Sequence, residues 1–107
     1  MKLMTKAIER AARAQFPQGA ELANQKVVAK FFNPTGSWTW YLLNQDPEDP
    51  NYLWGIVKGE EVEMGSFSLS DLQSFKGRFG LGIERDINFR PRPAQEVWEQ
   101  LNEGRHI

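Results

Sequence analysis

The first apolar residues of the chain recur at helical spacing. Ile8, Ala12 and Phe16 stand four positions apart and form one stripe, with basic residues outside it. Thr5 can cap the first turn through its hydroxyl, and Pro17 stops the pattern. The spacing therefore predicts an amphipathic helix from Thr5 to about Phe16.

A second pattern, rich in β-branched and aromatic residues, begins at residue 26. Residues 26–33 favour a strand over a helix of that length. The next residues turn the chain, because Pro34 presets the φ angle of a turn and Gly36 can take the left-handed conformation that closes a three-residue loop. Residues 38–44 should then return antiparallel, so the sequence predicts a β-hairpin.

The two strands of this hairpin carry large apolar side chains on both faces. With Asn33 opposite Ser37, alternation puts three cross-strand pairs on one face: Phe32 with Trp38, Lys30 with Trp40, and Val28 with Leu42. The opposite face is equally apolar. A hairpin with one side in water normally alternates apolar and polar residues. We therefore expect packing elements on both sides of the sheet.

Lys30, Phe32, Trp38 and Trp40 form a candidate aromatic platform with a cation beside it. Such a surface can stack single-stranded bases or serve as a hot spot for a protein partner. The alternative is that a helix buries these side chains, since each ring removes about 150–250 Å² from water. The sequence leaves both interpretations open.

The rest of the chain continues with short elements. These are strands at residues 52–58 and 61–67, a short helix capped by Ser68 or Ser70, a glycine-rich loop at 76–82, an extended segment or edge strand at 83–90, and a helix at 94–102. The whole pattern predicts a single α+β domain over residues 1–107. Its antiparallel sheet of four to five strands is a hairpin-rich meander packed with three short helices.

Composition narrows the class of protein without identifying it. The 13 Lys plus Arg residues nearly balance 14 Asp plus Glu, so the net charge of -1 gives no overall reason to expect nucleic acid or membrane. Residues 1–30 and 76–92 are basic and residues 46–71 acidic, which fits either opposed patches or ordinary solvated faces. The sequence has no cysteine and its N-terminus does not resemble a signal peptide, so we expect a cytoplasmic protein. No apolar run approaches the length of a membrane span, so we expect no membrane partner.

The reactive side chains form no complete catalytic set. His106 is the only histidine, so a Ser-His-Asp relay or a two-histidine metal site has no basis. Glu61 and Glu63 share a strand face. They could bind a hard cation such as Mg²⁺ or Ca²⁺, or they could simply form the solvent-exposed face of the strand. We expect no catalytic residue, no metal site and no cofactor. The alternative is a small metal-dependent enzyme, such as a nuclease, that uses four acids: Glu61, Glu63, Glu84 and Asp86.

Arg85 is a candidate anion site. It shares a strand face with Ile83 and Ile87, where an unpaired guanidinium would be costly, so we expect it to find a carboxylate. One interpretation is an ion pair that fixes the last strand to the sheet. The other is a site for a carboxylate or phosphate ligand, whose geometry the planar guanidinium matches.

Five blocks of the sequence together resemble one family of small bacterial proteins, known only as a domain of unknown function. The blocks are Lys2–Thr5, Ala29–Tyr41, Trp54–Glu61, Gly65–Leu72 and Ile83–Pro91. They follow one another in order from residue 2 to about residue 93. The family is met on plasmids, conjugative elements and phages, and the resemblance brings no catalytic residue to any position here.

The resemblance implies an accessory role on mobile DNA, for instance in transfer, replication or countering host defence. Together with the missing catalytic groups and the aromatic hairpin, it predicts a non-enzymatic binding protein of a mobile genetic element. We expect its partner to be a host-encoded or element-encoded protein, with single-stranded nucleic acid as a second option. The oligomeric state stays open, because an edge strand can pair with a second copy.

Overall fold

The computed structural model describes residues 2–107 and is built around a five-stranded antiparallel sheet. The elements, in chain order, are α1 (Lys6–Gln15), β1 (Lys26–Val27), β2 (Ala29–Phe32), β3 (Thr39–Gln45), β4 (Tyr52–Lys58), β5 (Val62–Ser68), α2 (Leu69–Ser74), β6 (Glu84–Arg85), β7 (Arg92–Pro93) and α3 (Ala94–Asn102). The sheet order is β5-β4-β3-β2-β6, and β1 pairs with β7 in a small second sheet. The predicted α+β class is confirmed.

Helix α1 begins and ends where its sequence predicts. The Thr5 hydroxyl accepts a hydrogen bond from the Ile8 amide at 3.1 Å, which satisfies one of the free donors of the first turn. Pro17 then draws the chain into a short 3₁₀ turn, and Gly19 leaves it with a φ of 55°. Few L-residues adopt that angle readily, so the glycine allows the chain to turn back toward the sheet.

The β2–β3 hairpin forms, but the predicted register is wrong by one residue. Phe31 lies opposite Trp40, and Phe32 lies opposite Thr39. The loop holds four residues instead of three, because the Asn33 amide donates to the Trp38 carbonyl at 3.1 Å. The Asn33 side chain stabilises this longer loop by accepting from the amide and the hydroxyl of Thr35 at 3.1 and 3.2 Å. Alternation then places Phe31, and not Phe32, on the Trp40 face.

Two other predicted strands differ in extent. Residues 26–33 divide at Val28, so that β1 pairs with β7 and only β2 joins the main sheet. The extended segment predicted at 83–90 shortens to β6, an edge strand paired with β2. Asp86 ends it, because its carboxylate accepts from the Asn88 amide at 3.0 Å and its carbonyl from the Phe89 amide at 3.2 Å.

The second hairpin and the short helix after it are confirmed. Lys58 pairs with Val62 across a three-residue turn, and Val62 points toward the apolar side of the sheet while Glu63 is exposed. Of the two serines considered as a cap for α2, Ser68 is used: its hydroxyl accepts from the Asp71 amide at 3.2 Å. Local sequence signals suffice for these elements.

Apolar side chains pack on both faces of the main sheet, as the hairpin pattern predicts. On one face, α1, α2 and residues 3–4 cover a cluster of buried side chains: Leu3, Met4, Ala12, Ala29, Phe31, Leu42, Leu53, Leu72 and Ile83. On the other face, α3 covers a second cluster: Val27, Tyr41, Leu43, Ile56, Ala94, Val97 and Leu101. Among residues 2–107, no helix has both the length and the apolar character that a membrane span requires.

Candidate functional site

An open groove of about 760 Å³ lies at the end of the sheet where β2 turns into β3. We call it the hairpin groove. The loop at 33–38 forms one wall, and the segment from β6 to Asn88 forms the other. Its lining includes two aromatic rings, three basic side chains, two carboxylates and a histidine: Phe32, Trp38, Lys30, Lys58, Arg85, Glu84, Asp86 and His106.

Trp38 is the most exposed aromatic side chain of the groove. It leaves 46% of its surface accessible. Its indole lies over Gly59, where even a Cβ atom would come within 2.8 Å of three ring atoms. It also contacts Trp40, with ring centroids 6.2 Å apart and planes inclined at 39°. Trp38 is therefore exposed but held in place on two sides.

The structure brings together three of the four residues predicted for the aromatic platform. Lys30, Phe32 and Trp38 line the hairpin groove. Trp40 does not: it is half-buried and packs against the cluster under α1. The one-residue shift in register causes this difference, because it puts Trp40 on the face opposite Lys30.

The inner end of the groove contains a polar contact that the sequence did not suggest. The Lys30 ammonium donates to the main-chain oxygen of Ile107 at 2.5 Å and lies 3.7 Å from the Asp86 carboxylate. The Tyr41 hydroxyl donates to the same Ile107 oxygen at 3.2 Å. The Ile107 side chain packs against the α3 cluster. Residue 107 is thus held from two strands, and the only sequence signal for this was a lysine in an apolar strand.

Tyr41 provides a test of this arrangement. Burial raises the pKa of its phenol to about 12, and Asp86 acts in the same direction. An unfolded tyrosine has a pKa near 10, so the folded chain holds this proton more tightly. The resulting stability is complete below about pH 10 and is lost as the pH rises toward 12. The urea midpoint of the parent should therefore fall as the pH rises from about 10 to 12. The midpoint of Tyr41→Phe, which has no phenol to titrate at this position, should fall less over the same pH range.

The chain offers a direct check on the same group. Tyr52 is the only other tyrosine. In a Tyr52→Phe background, the alkaline absorbance change of the phenolate reports Tyr41 alone. A midpoint that declines as steeply in Tyr41→Phe as in the parent would contradict the assignment.

Arg85 connects the edge strand to the start of the chain. Its Nη1 donates to the carbonyl oxygen of Lys2 at 2.8 Å and approaches that of Leu3 at 3.4 Å. In β6 it lies opposite the buried Phe31, on the face covered by α1. These contacts give the guanidinium a role in fixing β6 and residues 2–3 together, through main-chain oxygens.

Replacing Arg85 with alanine should lower the free energy of unfolding by about 1–3 kcal/mol, because charge-assisted hydrogen bonds to two carbonyls are lost. Arg85→Lys should recover only part of the lost stability, since an ammonium lacks the planar array of N–H donors that a guanidinium has. Urea unfolding measures both. If Arg85→Ala kept the parent midpoint but abolished a rise in melting temperature caused by phosphate, the anion-site interpretation would replace this one.

The four acids considered for metal chemistry lie at opposite sides of the sheet. Glu61 and Glu63 belong to the β5 edge, whereas Glu84 and Asp86 belong to the β6 edge. Four inter-strand spacings of about 4.8 Å separate these edges. Within residues 2–107, no three histidine, cysteine, aspartate or glutamate side chains come together as a metal site requires. His106 is exposed at the rim of the hairpin groove.

Comparison with known proteins gives one finding. No curated protein and no solved structure shows significant similarity to the chain. The sequence does match a family described as "Protein of unknown function (DUF2958)" across residues 3–105, nearly the whole length. The match includes both hairpins, all three helices and the β6 edge. The chain therefore belongs to the DUF2958 family.

Proposed function

We propose that this chain is a non-enzymatic binding protein that holds a segment of a partner protein in the hairpin groove. The observation that carries the proposal is Trp38, which keeps 46% of its surface accessible at the wall of a 760 Å³ groove while two neighbours fix its position. Tryptophan is one of the residues that are enriched at the hot spots of protein interfaces.

The charges of the groove favour a polypeptide over a nucleic acid. Lys30, Lys58 and Arg85 line it together with Glu84 and Asp86, so the groove carries both signs of charge. The Arg85 guanidinium already donates to main-chain oxygens of residues 2 and 3. Phosphates would be repelled by the two carboxylates, and Lys30 already lies near Asp86. A protein segment with both signs of charge and an apolar side chain for Trp38 suits such a surface.

We further propose that the protein is an accessory factor of a mobile genetic element, with a host-encoded or element-encoded partner. The support is the likeness of its sequence blocks to a family met on plasmids, conjugative elements and phages. Countering host defence is one such role. Gene neighbourhoods test this proposal: family members should adjoin transfer, replication or phage genes. Neighbourhoods of housekeeping genes would contradict it.

Site-directed photo-crosslinking tests the binding role. A photoreactive amino acid replaces Ser37, which is exposed in the groove, and in a matched control it replaces Ala14, which is exposed on α1. In cells carrying the parent element, position 37 should give a reproducible crosslinked protein that position 14 does not. Equal products from both positions would indicate chance contact and contradict the proposal.

A pair of alanine variants gives the second readout. Trp38→Ala should remove the position-37 product, whereas Tyr52→Ala, which truncates an aromatic ring of similar exposure (40%) elsewhere, should keep it. Both variants should retain cooperative thermal unfolding, because half-exposed rings contribute little to the core. Retention of the product in Trp38→Ala, or a crosslink to nucleic acid that Trp38→Ala abolishes, would overturn the proposed partner class.

A further inference from the structure

Phe79 is the most exposed large apolar side chain among the described residues. It leaves 92% of its surface accessible, at the tip of the glycine-rich segment between α2 and β6. Its backbone has φ 60° and ψ 20°, and it is the only non-glycine residue with positive φ in the described part of the chain. An aromatic residue in the left-handed region is a genuine outlier.

Among residues 2–107, no burial of the Phe79 ring compensates for this conformation. A ring that is 92% exposed gains almost no burial, while its Cβ atom makes the left-handed backbone unfavourable. Glycine would relieve the strain, and glycines stand at positions 77, 80 and 82 of the same segment. Strained backbone of this kind is typical of functional sites.

The segment around Phe79 is held in one shape. The Gly77 amide donates to the Leu81 carbonyl at 2.7 Å, and the Leu81 amide donates back to Arg78 at 3.1 Å. Gly77 also packs closely: a Cβ there would lie 2.9 Å from the Thr35 hydroxyl and 3.1 Å from the Phe75 ring. The ring is therefore presented on a fixed base, next to the hairpin turn.

Two positive charges flank the ring. Lys76 and Arg78 are both exposed, and residues 72–83 contain no aspartate or glutamate. This segment has a local charge of +2 in a chain whose net charge is -1. An anionic ligand is therefore favoured here, although the protein as a whole gives no such preference.

We propose that residues 75–81, which we call the Phe79 loop, bind single-stranded nucleic acid. A base stacks on the Phe79 ring, and the phosphates beside it pair with Lys76 and Arg78. An almost fully exposed ring offers both faces to a base. A membrane surface fits less well, because Phe79 is the only apolar side chain of the loop that is almost fully exposed, whereas Phe75 and Leu81 are 40% and 42% exposed. None of residues 75–81 lines the hairpin groove, so this is a second site.

Fluorescence anisotropy with a labelled oligothymidylate of about 12 nucleotides tests the proposal. We expect saturable binding that weakens as salt increases, and weaker binding of a duplex of the same length. Phe79→Leu should lower the affinity about 5- to 100-fold, because leucine has no π face, while Phe79→Trp should retain it. Lys76→Gln and Arg78→Gln should each lower the affinity and the salt dependence. Tyr52→Leu is the control for an exposed aromatic ring elsewhere and should bind like the parent.

Phe79→Gly separates loss of binding from loss of fold. Because glycine removes the strain, its urea midpoint should equal or exceed that of the parent, while its affinity falls at least as far as that of Phe79→Leu. A lowered midpoint would mean that Phe79 is structural and would overturn the inference. So would the absence of oligonucleotide binding, full affinity in Phe79→Leu, or binding to anionic phosphatidylserine vesicles in place of the oligonucleotide.

Discussion

Gly55→Ala should lower the free energy of unfolding by about 3 kcal/mol or prevent folding altogether. A Cβ atom at this position would lie 2.0 Å from the Tyr41 carbonyl oxygen and 3.1 Å from the Leu43 amide. The three nearest atoms all belong to the main chain of β3, so the clash cannot be relieved by the rotation of a side chain. The clash falls at the centre of the sheet, where the β3–β4 register shifts between Leu42 and Asn44.

Gly65 is the matched control for this prediction. It lies directly opposite Gly55 on β5, and nothing would lie within 4 Å of its Cβ atom. Gly65→Ala should therefore change the free energy of unfolding by no more than about 0.5 kcal/mol. Urea unfolding followed by tryptophan fluorescence measures both variants. Equal midpoints for the two would show that the close approach of β3 to β4 at Gly55 is not present.

Phe31→Ala should destabilise the fold by about 3–5 kcal/mol, because it removes a fully buried ring and leaves a cavity between the sheet and α1. The ring lies at the meeting point of three strands, opposite Trp40 of β3 on one side and Arg85 of β6 on the other. Few neighbours can collapse into that space, since the sheet fixes their backbones. The cost should thus lie toward the upper end of the range for phenylalanine.

The neighbouring Phe32→Ala tests the register. Phe32 is half-buried beside the hairpin groove, so its loss should cost about 1 kcal/mol. The two substitutions remove the same atoms from adjacent positions, and only the face of the sheet differs. If Phe32→Ala proved the more damaging of the two by denaturant titration, the three-residue turn expected from Pro34 and Gly36 would be correct instead.

Elements defined by local signals could be predicted from the sequence. Thr5 and Ser68 cap α1 and α2 as their positions suggest, and the Gly59 turn joins β4 to β5. Each of these depends on residues within a few positions of one another. The register of the first hairpin could not be predicted, because it depends on which way one side chain, that of Asn33, hydrogen-bonds.

Contacts between distant parts of the chain were beyond sequence reasoning. The β1–β7 pair includes Pro93, although proline is unfavourable within a strand. Only its pairing with the distant Lys26 places Pro93 in a strand. For the same reason the groove could be predicted only in part: Phe32 and Trp38 come from the hairpin, but Asp86 and His106 reach it from elsewhere. The positive φ of Phe79 could not be predicted either, because glycines on both sides of it are the residues expected to adopt a positive φ.

The bond from Arg85 to Lys2 spans 83 positions, and the one from Tyr41 to Ile107 spans 66. Such separations raise the contact order, and chains with high contact order reach their native state slowly. During synthesis, α1 emerges before the hairpin and can cover one face of it, whereas α3 and the β6 partner of β2 emerge after it. The face that carries Tyr41 and Leu43 would stay uncovered in that interval, which makes chaperone dependence and aggregation of shortened chains an expected trait of this fold.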